Sequence, residues 1–234
     1  MRRQFLGTEM PYRVVITEVT DFGASLHCVA GWDLDAGRMV RPEPGPAAFW
    51  QKAYVGPGSV FWPSHEVSFE ADRPNPPTEF PHLTEDLVVR LNTLNRVRVM
   101  PAAEFSQLAL QISAPSVGAA YGGALQVGAK PYVVPGTQCP SLGGVTLPIQ
   151  SVNFYTDQYR DKPPKLRAMV VDGLATYDLS ITSSELRALH RAGGLAAVRA
   201  QFANATRIHL RVGLAREFPQ GRCHAQINGA FPIL

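Results

Sequence analysis

The sequence has little of what marks a membrane or secreted protein. It contains no run of about eighteen apolar residues, so we expect no membrane-spanning helix. The N-terminal stretch carries two arginines without an apolar segment behind them, which predicts no secretory signal. The three cysteines are odd in number and far apart, which is typical of free thiols in a reducing compartment. These features predict a cytoplasmic protein with no membrane partner.

The sequence also lacks the short motifs of common catalytic and metal sites. It has no CxxC or HxxxH spacing, which argues against a structural zinc site. It has no GxSxG, Walker or GxGxxG signature of hydrolases or nucleotide-dependent enzymes. We therefore predict no metal and no cofactor, and the sequence favours binding over catalysis.

Charged residues are sparse, at 18% of the chain, and the net charge is only +3. Their distribution is more informative than their number. Residues 165–234 contain nine Lys or Arg against four Asp or Glu, whereas residues 1–164 contain thirteen against fifteen. The positive excess in the last third favours a polyanion such as nucleic acid as partner, with an ordinary, modestly basic surface as the alternative.

Glycine and proline, twenty of each, favour many turns and short strands over a helical bundle. Near the N-terminus, β-branched or alternating segments are separated by tight turns; they are "RVVITEV" (13–19), "SLHCVAGWD" (25–33) and "RMVRP" (38–42). This pattern predicts an antiparallel meander of three strands. A fourth strand is predicted in "SHEVSFE" (64–70).

The middle of the chain is less regular. A helix is predicted from Thr84, because threonine caps helices and Glu85 and Asp86 would then lie in the first turn, where carboxylates are favoured. Residues 114–144 are short of charge and rich in Gly and Pro, which predicts loops around one or two strands. The polar, proline-bearing segment 158–167 is predicted to be a linker between two domains.

The region after this linker has a recognisable order of elements. "AMVVDG" (168–173) and "ATYDLSI" (175–181) predict a hairpin. A helix follows, opened by a capping box of Thr182 and Glu185 and closed by two glycines, and a second short helix precedes the final hairpin. This order of strand, strand, helix, strand and strand resembles an OB fold, with an SH3-like barrel as the alternative.

The final hairpin has the sharpest pattern in the sequence. Apolar and polar residues alternate in "RIHLRVGL" (207–214) and again in "CHAQIN" (223–228). Successive side chains of a strand point to opposite faces, so the apolar rows would share one face and the polar rows the other. The expected register places Arg211 roughly opposite Asn228. The pattern predicts a hairpin with a core side and a basic, hydrogen-bonding side.

Several of these segments together resemble a prokaryotic family described as the dual OB-containing domain. They are "CVAGWDLDAGRMVRP" (28–42), "PHLTEDLVV" (81–89), "SLGGV" (141–145) and "RVGLAREFPQGRCHAQINGAF" (211–231). The resemblance runs from about Val14 to Phe231. It implies two linked OB-like barrels and a role in binding nucleic acid or a ligand, and it supplies no catalytic residues.

The predicted fold is therefore mainly β, with two OB-like barrels and short helices. The N-terminal OB-like domain is expected to span residues 11–160 and to contain a Gly/Pro-rich insertion. The C-terminal OB-like domain is expected to span residues 165–234.

The predicted function is non-catalytic binding of nucleic acid, single-stranded by preference, on the basic face of the C-terminal barrel. Arg207 and Arg211 would contact phosphate, while Gln226 and Asn228 would contact base edges or sugar hydroxyls. The full predicted binding set is Arg207, His209, Arg211, His224, Gln226 and Asn228, with Tyr177 on the preceding strand and Arg41 in the first meander. The alternative is a solvated polar face without a ligand.

Three other functions stay open. A sensor of a nucleotide or other small anion would use an aromatic-lined pocket near Trp50 and Trp62. A metal-dependent enzyme would use His82, Glu85 and Asp86, although helix capping also accounts for the two acids. A protein-interaction module would have neither kind of ligand.

Overall fold

The chain folds into two curled sheets, one built from residues 12–99 and the other from residues 132–233. The computed structural model describes residues 11–23, 25–128, 130–158, 160, 163–216 and 221–233. The prediction of a mainly β protein is confirmed.

The first sheet contains the predicted meander. Its strands are β1 (Tyr12–Phe22), β2 (Leu26–Asp33), β3 (Arg38–Glu43), β4 (Trp50–Gln51), β5 (His65–Phe69), β6 (Ala71–Asp72), β7 (Asp86–Val89) and β8 (Asn95–Val99). Their order in space is β6-β7-β3-β2-β1-β5-β8, with β4 beside β2. Strands β1, β2 and β3 pair antiparallel, and the predicted fourth strand is β5, which pairs with the other edge of β1.

The second sheet contains both predicted hairpins of the C-terminal region. Its strands are β9 (Tyr132–Val133), β10 (Leu142–Pro148), β11 (Val152–Asp157), β12 (Lys165–Val171), β13 (Thr176–Ile181), β14 (Arg207–Leu214) and β15 (Cys223–Ile233). Their order is β10-β14-β15-β13-β12-β11, with β9 beside the start of β15. The Asp172 carboxylate accepts hydrogen bonds from the backbone of Leu174 and Ala175, which fixes the predicted turn between β12 and β13.

Two α-helices pack against the sheets. Helix α1 (Ala102–Gln111) buries Phe105 and Leu108 beside Val15 of the first sheet, and the Phe105 ring meets Phe231 of the second sheet edge-on at 5.0 Å. Helix α2 (Ser184–Ala200) joins the two predicted short helices across a kink at its two glycines. Its capping residue is Ser183, whose hydroxyl accepts from the Leu186 N–H at 3.4 Å. Neither helix is long and apolar enough to cross a membrane within the described residues.

The predicted division near residue 160 does not separate the two sheets. Strand β10 pairs along its whole length with β14, and β11 pairs with β12, so residues 142–157 belong to the second sheet. The segment "SLGGV" (141–145) has a weak strand signal because it contains two glycines, and packing explains why they are there. A Cβ atom at Gly143 would collide with Ala120, and one at Gly144 would collide with the side chains of His209 and Arg211. Packing therefore requires glycines that local strand preference disfavours.

The predicted helix at Thr84 is wrong. Residues 80–85 form turns, and the next four residues form β7, which runs parallel to β3 with Asp86 opposite Arg41. The carboxylates of Glu85 and Asp86 are buried against partners elsewhere in the chain instead of lying at a helix N-terminus. Tertiary ion pairing thus overrides a local capping signal.

The closing hairpin forms with nearly the predicted register, but its polar row does not face solvent. Arg211 lies opposite Gly229, and a β-bulge at Asn228 shifts the register by one residue. His209 and Arg211 are fully buried, because β1 and α1 cover this face of the second sheet. The hairpin therefore has two buried faces, and a basic solvent face built on these two residues was a wrong expectation.

Candidate functional site

A cavity of about 350 Å³ lies where the two sheets meet, and we call it the cleft. The end of β1 and strand β3 form one wall, and β15 with the segment after β14 forms the other. Small-molecule sites occupy roughly 300–1,000 Å³ and often lie between structural units. The size and position of the cleft therefore fit a single small ligand.

A chain of charged side chains joins the two walls. The Asp86 carboxylate accepts from Arg41 at 2.6 Å and from Arg216 at 2.7 Å, and Arg216 also donates to Glu43. Burial alone would raise the pKa of Asp86, but the two guanidinium groups outweigh it and lower that pKa. Burial, aided by the Asp86 charge, raises the pKa of Glu43 to about 7. Glu43 therefore changes charge near neutral pH inside the cleft.

The second wall carries two carboxamides with different surroundings. The Asn228 amide is held on both sides, since it donates to Glu18 at 3.2 Å and accepts from the Thr182 hydroxyl at 3.0 Å. Gln226 is half-buried, and its side-chain amide has no hydrogen bond within the part of the chain that the structure describes. Asn228 is thus a fixed part of the wall, while Gln226 offers its hydrogen-bonding groups to the cleft.

A pair of aromatic rings stands at the edge of the cleft. Phe22 at the end of β1 and Phe49 before β4 stack with centroids 4.0 Å apart and planes 5° apart. Phe22 is 54% exposed, which is unusual for so large an apolar ring. An exposed ring backed by a second, half-buried ring and lying beside polar groups is a platform on which another flat ring can stack.

Asp21 links the cleft to helix α2. Its carboxylate accepts from the Ser184 hydroxyl and lies 3.3 Å from Arg191, and its backbone carbonyl accepts from Arg187. Both carboxylate oxygens therefore have partners. Cys28 also lines the cleft, but burial raises the pKa of its thiol, which argues against a nucleophilic thiolate.

Three of the predicted nucleic-acid-binding residues come together at the cleft: Arg41, Gln226 and Asn228. Arg211 lies one layer behind them, with its Nε donating to Glu18 at 3.2 Å. His209 is buried against the hydroxyls of Ser113 and Thr146, and burial lowers the pKa of its imidazole well below the usual value.

The remaining predicted residues lie elsewhere. Arg207 is exposed at the far end of β14, about 23 Å along the strand from Leu214. His224 is half-buried beside the Tyr132 ring, and Tyr177 is buried next to Gly118. The predicted set therefore does not form one accessible face.

The candidate metal site at His82, Glu85 and Asp86 is occupied by other contacts. Glu85 accepts from the backbone N–H of Ser141 at 2.8 Å, and Arg41 contacts both Asp86 and the His82 ring. Burial and the neighbouring arginines lower the pKa of His82 to about 3. In the described ranges no group of three or more His, Cys, Asp or Glu is placed to hold a metal ion. Two guanidinium groups beside Asp86 would also repel a cation.

The tryptophans do not line the cleft. Trp50 is buried in the first sheet, donates to the Pro42 carbonyl at 2.8 Å and packs on Phe61. Phe22, Phe49 and Glu43 were not predicted as site residues. A large apolar ring next to the Gly23 turn was the one available signal, because such a ring is exposed when the turn projects from the sheet.

No known protein family, curated protein or solved structure matches the chain.

Proposed function

We propose that the protein binds a small molecule with a flat, hydrogen-bonding ring, of the nucleoside or nucleotide class, in the cleft between its two sheets. The observation that carries this proposal is the stack of the exposed Phe22 ring on Phe49 at the edge of a cavity of about 350 Å³. The same cavity is lined by the Gln226 amide, which has no hydrogen bond in the described structure. Every nucleobase has a flat π face that can stack on an aromatic side chain.

The charges of the cleft support a polar ligand of low net charge. Arg41 and Asp86 neutralise each other, and Arg216 forms ion pairs with both Asp86 and Glu43. Arg216 is the more accessible guanidinium, with 33% of its side chain exposed, compared with 5% for Arg41. A ligand phosphate would therefore interact with Arg216, and a nucleoside without phosphate would still have the rings and Gln226.

The volume of the cleft favours a monomer over a strand. OB folds that track single strands cover roughly 4–16 nucleotides along an open groove. A cavity near the lower end of the small-molecule range holds far less. Two OB-like barrels, a nucleic-acid partner and a cytoplasmic location remain hypotheses, and the experiment below tests the partner directly.

Isothermal titration calorimetry with nucleosides, nucleoside monophosphates and a single-stranded oligonucleotide tests the proposal. We expect saturable binding of at least one monomer. Phe22→Ala should weaken it roughly 5- to 150-fold, because stacking of a base on an aromatic ring contributes about 1–3 kcal/mol. Leu174→Ala is the matched control, since this apolar side chain is 81% exposed on the turn between β12 and β13.

Two results would overturn the proposal. One is the absence of heat from every monomer at millimolar concentration with a protein that melts cooperatively. The other is oligonucleotide binding that is unaffected by Phe22→Ala and falls steeply with salt, which would restore a phosphate-tracking surface outside the cleft.

A further inference from the structure

Gln226 occupies a constrained backbone position in the cleft. Strand β15 is central in the second sheet, and Gln226 pairs with Gly213 on β14 on one side and with Ser180 on β13 on the other. A residue paired on both sides cannot shift along the strand without breaking two ladders. Its side chain therefore leaves the sheet from a fixed point on the cleft wall.

The contrast with Asn228 shows that Gln226 is not part of the structural network. Asn228 is held by Glu18 and Thr182, and a Cβ atom at the neighbouring Gly213 would collide with its amide nitrogen. Gln226 has no such partner within the described residues and is only half-buried. A half-buried amide without a protein partner has donor and acceptor capacity to spare, and leaving that capacity unmet in a complex would weaken binding.

The chemistry of a carboxamide defines what it can pair with. It presents an N–H donor and a carbonyl acceptor side by side in one plane. A flat ring whose edge has an acceptor next to a donor can form both hydrogen bonds at once, as Asn and Gln do with adenine edges. A base stacked on Phe22 uses its face for the ring and keeps its edge for hydrogen bonds with the cleft wall.

We propose that Gln226 reads the hydrogen-bonding edge of the bound base and is the specificity-determining residue of the cleft. This inference rests on the proposed function. The Phe22–Phe49 pair provides stacking, which is available to every base. The Gln226 amide on the opposite wall discriminates between bases.

Gln226→Glu tests this assignment because it replaces the N–H donor with a second acceptor at nearly the same size. A base edge with two adjacent donors, such as the N1–H and N2–H₂ edge of guanine, then becomes the better partner. Calorimetric Kd values for guanosine and adenosine give a ratio for each protein. We expect the variant to shift this ratio at least tenfold toward guanosine, and Gln226→Ala to bring the ratio toward one.

Gln126→Glu is the matched control, since it makes the same change at an exposed position outside the cleft lining and should leave the ratio unchanged. Should Gln226→Glu fail to fold, the ratio measured for Gln226→Ala decides. A wild-type protein that binds nucleosides and loses affinity in Phe22→Ala, but keeps its ratio within twofold in both Gln226 variants, would overturn the role of Gln226 and leave the proposed function standing. A wild-type protein that binds no nucleoside would overturn both.

Discussion

Two buried arginines, one on each sheet, reach across to the opposite sheet in different ways. Arg41 on β3 donates to Asp86 and extends to the Ser141 hydroxyl at 3.0 Å, at the entrance of β10. Arg211 on β14 donates to Glu18 on β1 and contacts the Met39 sulfur. Both guanidinium groups are almost fully buried. The two contacts thus join the same two sheets, one at the cleft and one behind it.

The two sites differ in how well they compensate a buried charge. Burial alone would lower the pKa of Arg41, but Asp86 and other nearby acids raise it above its usual value. The pKa of Arg211 is lowered, because burial outweighs the attraction of Glu18. The Arg211 Nη1 group is also without a hydrogen-bond partner among the described residues. The contact at the cleft therefore joins the sheets favourably, while the contact behind it leaves a buried charge incompletely compensated.

Removing Asp86 should have a large effect on stability. Asp86→Asn leaves two guanidinium groups, those of Arg41 and Arg216, without their shared carboxylate. Breaking a buried ion pair by removing one partner costs about 3–5 kcal/mol, and we expect a loss of this size in the free energy of unfolding. Urea denaturation at neutral pH measures it.

The matched control is Asp72→Asn, which removes a carboxylate that is 57% exposed and paired with Arg90. Such surface pairs contribute about 0–1 kcal/mol. A loss below about 1 kcal/mol for Asp86→Asn as well would show that Glu43 and Glu85 compensate the arginines, and the contrast between the two arginine sites would then be lost.

Glu43 should make the stability of the contact between the two sheets at the cleft depend on pH. Its folded-state pKa of about 7 lies above the ordinary value of 4.5, so the folded protein binds this proton more tightly than the unfolded chain. The stabilisation is complete below pH 4.5 and is lost as the pH rises through 7. Relative to Glu43→Gln, the wild-type free energy of unfolding should fall by about 2–3 kcal/mol between pH 5 and pH 8.

The comparison with Glu43→Gln isolates this residue from its neighbours. His82 acts in the opposite direction, because its lowered pKa makes the protein lose stability as the pH falls below 6.5, but both proteins share this contribution. Urea titrations at several pH values give the difference, and Glu70→Gln reports the effect of removing a carboxylate that is 45% exposed. A difference between wild type and Glu43→Gln that stays constant from pH 5 to pH 8 would contradict the prediction.

The sequence predicted the strands whose signal is local. Alternation and turn residues were sufficient for β1 to β3, for the hairpin at Asp172 and for the closing hairpin, because each pairs with its neighbour along the chain. Strands β7 and β10 were missed because their partners are distant. Asp86 pairs with a residue 45 positions earlier, and Gly144 pairs with one 67 positions later.

The site was only partly predictable for the same reason. Gln226 and Asn228 share a strand, so the strand period of two predicted that they lie on one face. Arg41 was predicted separately, in the first meander, and not as a neighbour of these two residues. Arg211 follows the same alternation as Arg207, yet one is buried and the other exposed. Periodicity identifies the face of a strand, but it does not show that β1 covers part of that face. Burial of charges between two sheets depends on how the sheets dock.

The smallest expected effect concerns the contact behind the cleft. Arg211→Met combined with Glu18→Gln removes both charges and the unpartnered Nη1 group, keeps the packing of the side-chain stem, and leaves an acceptor for Asn228. Replacing a whole buried ion pair with neutral groups of similar volume is often neutral or stabilising, so the double variant should lie within about 1 kcal/mol of wild type or above it.

The single variant and the equivalent change at Arg41 complete this comparison. Arg211→Met alone leaves the Glu18 carboxylate buried without its guanidinium and should cost about 3–5 kcal/mol. Arg41→Met combined with Asp86→Asn should remain clearly destabilising in urea, because Ser141 loses the Arg41 donor and Arg216 loses the negative charge of Asp86. Equal losses for the two double variants would mean that both arginines join the sheets alike. If the Arg211→Met/Glu18→Gln double variant equals or exceeds wild-type stability, the favourable contact between the sheets is the one at the cleft. Arg41, which makes that contact, also lines the proposed binding site.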